Sequence, residues 1–459
     1  MYALVRIIMR FLPALITGKA AGFAAGLIDK SRGTNLAGAA AMKIDPQMLS
    51  HFSGIDPEKV LFITGTNGKS TTNNMINHLL RSKGYKVVSN IEGANLITGI
   101  ATALIKASTP AGRVDADFYV FETDERYLYR IREQLPAANM LITNLQKDQV
   151  QRNGDPSYIS RKISKVIKDF GFRLFLNADE PRSASFASFG RETVLYGVEK
   201  NSLSFTKDES FLTMPCPKCH HRIVFDYYNN DGLGSYHCDN CGYATSEPDY
   251  KVSNVDFDNG TFSIGDADFS MHHRLPYMLY NYASAVAVAK ELAGMSEEEC
   301  AEALRDFRNV GGRVDSIDYN GQHINYMRFK QENPETLQNF INMIADDPKE
   351  KVVVIGFGTV NDFDPHYINS FYAFDCDYSG LIGSNVSKYI FVTDTIAYDA
   401  ANSFIYGGVD PEKVEILPTS DEEEILKAIT STGCDNVYLT IELHRFERMK
   451  AFAEKGGAL

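Results

Sequence analysis

Between residues 59 and 83 an apolar run, a glycine-rich turn and an amphipathic stretch follow one another without a gap, and that order leaves few folds open. Lys59-Val-Leu-Phe-Ile-Thr64 has the length and content of a buried strand, and from Thr71 to Lys83 the apolar residues Met75, Ile76, Leu79 and Leu80 recur at helical spacing. The turn between them reads Gly65-Thr-Asn-Gly-Lys-Ser-Thr-Thr72. Backbone N–H groups in such a turn surround phosphate oxygens, and the helix behind it contributes the positive end of its dipole. Gly65, Thr66, Asn67, Gly68, Lys69, Ser70 and Thr71 are therefore read as a triphosphate-binding loop. In it Lys69 neutralises the β- and γ-phosphates and the Ser70 hydroxyl binds Mg²⁺. The general form of this motif has a glycine five places before its Gly-Lys pair, where this chain has Ile63, so the loop is a shortened variant.

The pattern continues downstream. Tyr85 to Ser89, Asp117-Phe-Tyr-Val-Phe-Glu122, Ala138-Asn-Met-Leu-Ile-Thr-Asn144, Arg173-Leu-Phe-Leu-Asn-Ala-Asp179 and Glu192-Thr-Val-Leu-Tyr-Gly197 read as strands with helical stretches between them. Alternation of this kind predicts an α/β fold with a mainly parallel sheet and helices on both faces. From about residue 205 to 250 the chain turns polar and cysteine-bearing, which marks an inserted module. Leu275 to Gly294 and Ser296 to Phe307 return to helical spacing, Gly311-Gly-Arg313 reads as a hinge, and a fresh α/β alternation begins at Ile317. The expected organisation is a helical segment over 1–50 packed on a central domain over 51–314, followed by a C-terminal α/β domain over 315–459. Arg6, Arg10 and Lys19 interrupt the apolar N-terminus, so no uncharged run of ~20 residues is left to span a bilayer. An amphipathic helix that packs on the body, with at most peripheral membrane contact, is expected there.

Four further groups carry chemistry. Glu122 and Asp124 follow an apolar strand, at the end of a sheet where ligands gather, and Glu122 is the preferred carboxylate for Mg²⁺. Asp148, after the next strand, is a weaker candidate for the same crevice. Cys216-Pro-Lys-Cys219 and Cys238-Asp-Asn-Cys241 have the spacing of two metal knuckles, and four thiolates close a tetrahedral zinc shell with no position left for water, so the site is structural. Asn281, opening the alanine-rich helix, can read an adenine edge through its amide, and Arg313 at the hinge can reach a phosphate. A formal charge of −13 disfavours attraction to nucleic acid. Glutamine hydrolysis needs an activated cysteine with a histidine base, and no such pair stands out here.

Taken together, residues 65–72, Asn90-Ile-Glu-Gly-Ala-Asn-Leu-Ile-Thr-Gly99, Thr143-Asn-Leu with Lys147-Asp-Gln149, Leu176-Asn-Ala-Asp179 and the four cysteines resemble the Mur ligase superfamily. The narrower likeness is to the ligase subunits of lipid II isoglutaminyl synthases. That resemblance implies an ATP-dependent ligase that phosphorylates the α-carboxyl of D-glutamate in the lipid II stem peptide. Ammonia from a separate class I glutamine amidotransferase (GatD-type) subunit would then displace phosphate, in the cytoplasm at the inner face of the membrane. It also implies ATP, Mg²⁺ and structural Zn²⁺ as cofactors. Two departures fall in the C-terminal domain. Asn369 stands where the family has an aspartate that completes the partner's catalytic pair, leaving Asp362 and Asp364 as substitutes, and Ile396-Ala-Tyr-Asp399 keeps the aspartate of the family's Arg-Ala-x-Asp segment but not the arginine. A stand-alone carboxylate–amine ligase and a nucleotide-binding scaffold without turnover are the alternative readings.

Overall fold

The computed structural model describes residues 2–28, 33–91, 95–148, 154–206, 214–230, 232–271, 274–307, 314–327, 333–357 and 371–454. The chain divides into two compact units, Met1–Gln146 with Gly154–Asn309, and Lys147–Asn153 with Val310–Leu459. Arg313, Asp362, Asp364 and Asn369 lie outside the described residues.

In the first unit, helices α1 (Tyr2–Ile28) and α2 (Gly33–Ile44) precede β1 (Val60–Thr64), α3 (Lys69–Ser82), β2 (Val87–Ser89), α4 (Ile97–Ala107) and β3 (Phe118–Glu122). Then come α5 (Leu128–Gln134), β4 (Asn139–Ile142), α6 (Pro156–Phe170), β5 (Arg173–Asn177), α7 (Pro181–Ala184) and β6 (Glu192–Val198). The inserted module contributes a hairpin, β7 (Val224–Asn230) and β8 (Leu233–His237). The unit finishes with β9 (Tyr250–Asp256), β10 (Thr261–Ile264), β11 (Ala267–Ser270), α8 (Pro276–Ala293) and α9 (Glu297–Arg305). The nine-stranded sheet has the order β11-β10-β9-β6-β5-β4-β1-β3-β2. From β2 to β9 every neighbouring pair is parallel, and only the β9-β10-β11 edge is antiparallel. The expectation of a mainly parallel α/β sheet is met.

Strand β1 shows why both faces are covered. Side chains alternate across a strand; Leu61 and Ile63 enter a core shared with α3 and α8, while Val60 and Phe62 enter the opposite core shared with α1, α4, α5 and α6. All five residues of β1 are buried, as parallel strands with helices on both sides require. Side chains cap some of the helix starts: Asp155 accepts from the Ser157 N–H ahead of Pro156, and Ser296 and Glu299 form a reciprocal capping box at α9.

The second unit holds β12 (Val314–Tyr319), β13 (Gln322–Met327), α10 (Pro334–Asp346), β14 (Lys351–Gly356), β15 (Val386–Val392), α11 (Ile396–Tyr406), β16 (Val414–Ile416), α12 (Glu422–Ser431), β17 (Asn436–Thr440) and α13 (Leu443–Glu454). Its six strands run β12-β13-β17-β14-β15-β16, parallel except for the β12–β13 hairpin. Val353 and Ile355 face one core while Val352 and Val354 face the other. Ile396, where the family's arginine would stand, is buried in the first of these cores at the start of α11, and Asp399 is exposed.

Candidate functional site

The turn over residues 65–68 rises from the carboxyl end of β1, which lies between β3 and β4, and the chain leaves β1 for β2 on one side and takes up β4 on the other. A crevice opens at such a reversal of strand order, and ligands of open α/β sheets bind there. Two glycines shape the turn. Gly65 has φ +125° and a Cβ there would lie 2.3 Å from Thr143 Oγ1; Gly68 has φ +84° and a Cβ would lie 2.5 Å from Asn281 Oδ1. Both the backbone angle and the space call for glycine.

The β4 end clamps this turn. Thr66 N–H donates to Asn144 O (2.8 Å), Asn67 N–H to Asn144 Oδ1 (2.9 Å) and Asn67 Nδ2 to Gln146 Oε1 (2.9 Å). Gln146 N–H in turn donates to Thr66 Oγ1 (3.0 Å). The loop's shape is therefore fixed before any ligand arrives. Helix α3 begins at Lys69 with no acidic residue in its first turn, so its positive end is left for an incoming anion.

Lys69 is buried, and its ammonium donates to Gly65 O, Thr66 O (3.2 Å) and Glu125 Oε1 (3.0 Å). Ser70 Oγ donates to Glu122 Oε2 at 2.6 Å. Strand register makes this contact, because Glu122 on β3 pairs with Ile63 on β1. Asn90 fixes Glu122 from behind, accepting from its N–H (2.9 Å) and donating to its carbonyl (2.8 Å). A hydroxyl and a buried carboxylate side by side are two hard oxygens of the kind that Mg²⁺ takes.

Asp124 does not join that pair. Burial pushes its pKa up, but hydrogen bonds and charge from Arg126, with Lys69 adding, outweigh burial and hold the carboxyl below the usual range. Its oxygens are engaged by Arg126 at 2.7 and 3.0 Å. Asp148 falls in the second compact unit. Asn281 is buried at the start of α8, and its Oδ1 accepts from Thr72 Oγ1 (3.2 Å), so the amide rests against the first turn of α3 and Gly68. Thr71 is the third residue of α3.

Two groups that the motif does not name stand next to it. Asp179, fully buried after β5, accepts from Tyr280 OH (2.8 Å) and Val198 N–H (2.9 Å). Burial pushes its pKa up to about 7 against those two donors. Tyr280 precedes Asn281, so this carboxyl anchors the residue whose neighbour touches the loop. The aspartate was visible in the Leu176-Asn-Ala-Asp179 run, but its partner lies 101 residues away and no local pattern joins them.

The four cysteines converge. Their sulfur atoms all lie within 4.8 Å of one another, with Cys219–Cys238 at 3.5 Å and Cys216–Cys241 at 3.7 Å. Tetrahedral ligation at ~2.3 Å per metal–sulfur bond places sulfurs about 3.8 Å apart, so the set fits one ion with no open position. The two knuckles are built alike. His220 N–H donates to Cys216 O and Gly242 N–H to Cys238 O, both at 2.9 Å, and the residue after each second cysteine is left-handed, His220 at φ +63° and Gly242 at φ +69°. Tyr243 ties the module to the start of α7 by donating to Pro181 O at 2.7 Å.

Comparison with known proteins adds two domain assignments and several relatives. Residues 63–216 match the Mur ligase middle domain and residues 331–442 the MurT ligase C-terminal domain. The lipid II isoglutaminyl synthase (glutamine-hydrolyzing) subunit MurT of Staphylococcus aureus is 28% identical over 425 residues, covering 92% of this chain and 93% of the relative. The corresponding subunit of Streptococcus pneumoniae is 25% identical over 437 residues, covering 93% of each. Among solved structures, a pseudomurein peptide ligase type C from Methanothermus fervidus superposes with a TM-score of 0.67 at 21% identity, over 94% of this chain and 85% of the other.

Proposed function

Since this chain belongs to the Mur ligase superfamily and is an ATP-dependent amide-forming ligase of that kind, we propose that it amidates the α-carboxyl of D-glutamate in the stem peptide of lipid II or a related muropeptide. The observation that carries the proposal is the Ser70–Glu122 contact beside Lys69 at the glycine-rich turn between β1 and α3. The relatives named MurT point to the acceptor.

The chemistry needs no protein nucleophile. Loop N–H groups and Lys69 hold the β- and γ-phosphates of ATP while a carboxylate oxygen of the acceptor attacks the γ-phosphorus and ADP leaves. Ammonia then attacks the acyl carbon; the carbon–oxygen bond to phosphate breaks, a proton is lost from nitrogen, and a carboxamide and inorganic phosphate remain. Ser70 and Glu122 would hold Mg²⁺, which when bound neutralises the charge spread over the phosphates. Asn281 would meet the adenine. Arg313 would reach a phosphate, and Asp362 or Asp364 would serve the partner's active site. A class I glutamine amidotransferase subunit would deliver the ammonia, and Cys216, Cys219, Cys238 and Cys241 would hold a structural Zn²⁺. Work on such an acceptor places the protein at the cytoplasmic face of the membrane.

Incubation with ATP, Mg²⁺, ammonium and a D-glutamate-containing muropeptide should give ADP, phosphate and a product in which one carboxyl has become a carboxamide by mass spectrometry. Glutamine should replace ammonium only when a glutaminase subunit is added. Turnover with a free amino acid as amine but not with ammonium would overturn the proposal in favour of a stand-alone peptide ligase.

A further inference from the structure

Away from the nucleotide crevice, α1 and α2 run antiparallel and in close contact. A Cβ at Gly18 would lie 3.1 Å from Ala41 Cβ, and one at Gly22 would lie 3.3 Å from Ala37 Cβ. Helix α2 presses equally on α4, where a Cβ at Gly38 would lie 1.9 Å from Thr98 O. Phe11, Ala14 and Leu15 bury the inner face of α1 in the core of the unit. Lys19 reaches across to donate to Ile105 O (2.9 Å) and Ser108 O (2.7 Å), satisfying carbonyls at the end of α4. The hairpin is thus a fixed part of the first unit.

Its outer face is apolar. Ile16 is 66% exposed, Phe23 73% and Leu36 49%. Ile16, the exposed Ala20 and Phe23 fall at i, i+4 and i+7, which puts them on one stripe of α1. Phe23 and Leu36 each adjoin a residue of the Gly22–Ala37 contact, so the stripe continues onto α2. Single exposed apolar residues are ordinary, whereas a stripe shared by two helices marks a contact surface.

Charge identifies what the surface meets. Residues 1–44 contain six basic residues and a single acid, Asp29; with −13 for the whole chain, residues 45–459 carry −18. Neither α1 nor α2 contains an acidic residue. Arg10 and Lys43 are exposed. An anionic bilayer attracts this hairpin and repels the rest of the chain, which orients the molecule as well as binding it. Among the described residues no helix is long and apolar enough to cross a membrane.

We propose that the α1–α2 hairpin docks the protein on an anionic lipid surface, with Ile16, Phe23 and Leu36 entering the boundary between headgroups and acyl chains and Arg10 and Lys43 meeting headgroup phosphates. This goes beyond the amidation reading and stands without it, because the vesicles that test it contain no peptidoglycan precursor. The full-length protein should float with vesicles of equimolar phosphatidylglycerol and phosphatidylcholine, much less with phosphatidylcholine alone, and should be partly released by high salt. Combining Ile16→Ser with Phe23→Ser should lower the bound fraction roughly tenfold or more, and combining Arg10→Glu with Lys43→Glu should remove the preference for anionic lipid. Both variants should keep the thermal midpoint and the turnover on a soluble acceptor. Failure to float with anionic vesicles, or flotation unchanged in the serine variant, would overturn the proposal. So would a wild-type dimer that becomes a monomer in that variant, which would make the face a protein interface.

Discussion

Residues 65–68 sit between a fully buried strand and a helix packed on the sheet, whereas around the four cysteines, among the described residues, the local core consists of Cys216, Ile223, Tyr236, Cys238 and Tyr243 beside a two-stranded hairpin. In the phosphate loop, geometry comes from burial: β1 fixes one end, α3 the other, and the clamp from Asn144 and Gln146 holds the middle. In the cysteine module, little apolar surface is buried for a segment of that length, and the proposed coordination of a metal would take the place of a core. If a metal fills the cysteine set, the first region is stable without its ligand and the second only with it. Loss of the ligand should therefore leave the first region intact and disorder the second.

The largest effect that would test the contrast is on chemistry alone. Lys69→Ala should reduce ATP-dependent turnover by about 10²- to 10³-fold while bound metal and the thermal midpoint stay close to wild type; a large loss of stability would mean that Lys69 holds the fold. Next in size is the module. Cys238→Ser, or a chelator strong enough to strip a bound metal, should remove the coordination that orders the module. Hydrogen exchange should then become fast over residues 214–245 and remain slow in β1, β3 and β4. Retained protection in the module after metal loss would erase the distinction drawn above.

Glu122→Gln sharpens the comparison from the other side. The variant keeps shape and the contact to Ser70 but loses the charge that a divalent cation seeks, and the Mg²⁺ concentration needed for half-maximal turnover should rise roughly 10- to 100-fold. Magnesium titration of the rate checks it. The smallest expected effect concerns Asp179. Its folded pKa of about 7 exceeds the ordinary 3.8, so the stability it contributes is full below about pH 3.8 and is lost as pH rises towards 7. In Asp179→Asn that loss is absent, and calorimetry from pH 4 to 8 should show the wild type falling relative to the variant up to about pH 7 and running parallel above it.

Much of the molecule was legible in the chain because its signals are local. The strand–turn–helix at residues 60–82, the buried strands and the paired cysteines each lie within a few residues of one another, and the parallel character of the sheet follows from the alternation of strands and helices. What could not be read depends on distant partners. The Asn90 clamp on Glu122 spans 32 residues and the Tyr280–Asp179 bond 101, and neither has a spacing to recognise. The β9-β10-β11 edge escaped for another reason. Its strands are seven, four and four residues long and mix buried with exposed positions, too short for periodicity to distinguish from loop. Asp124 shows the reverse error that local reading invites. It shares the strand end with Glu122, yet Arg126 occupies its oxygens.

The proposed activation of a carboxylate by phosphoryl transfer beside Lys69 can be tested through one atom. With an acceptor whose α-carboxyl carries a heavy oxygen isotope at both positions, one heavy oxygen would bridge carbon and phosphorus in the acyl phosphate and would leave with phosphate when ammonia attacks, the other staying in the carboxamide. Mass analysis should find one heavy oxygen in each inorganic phosphate released alongside carboxamide. Amide formation accompanied by unlabelled phosphate would contradict the account.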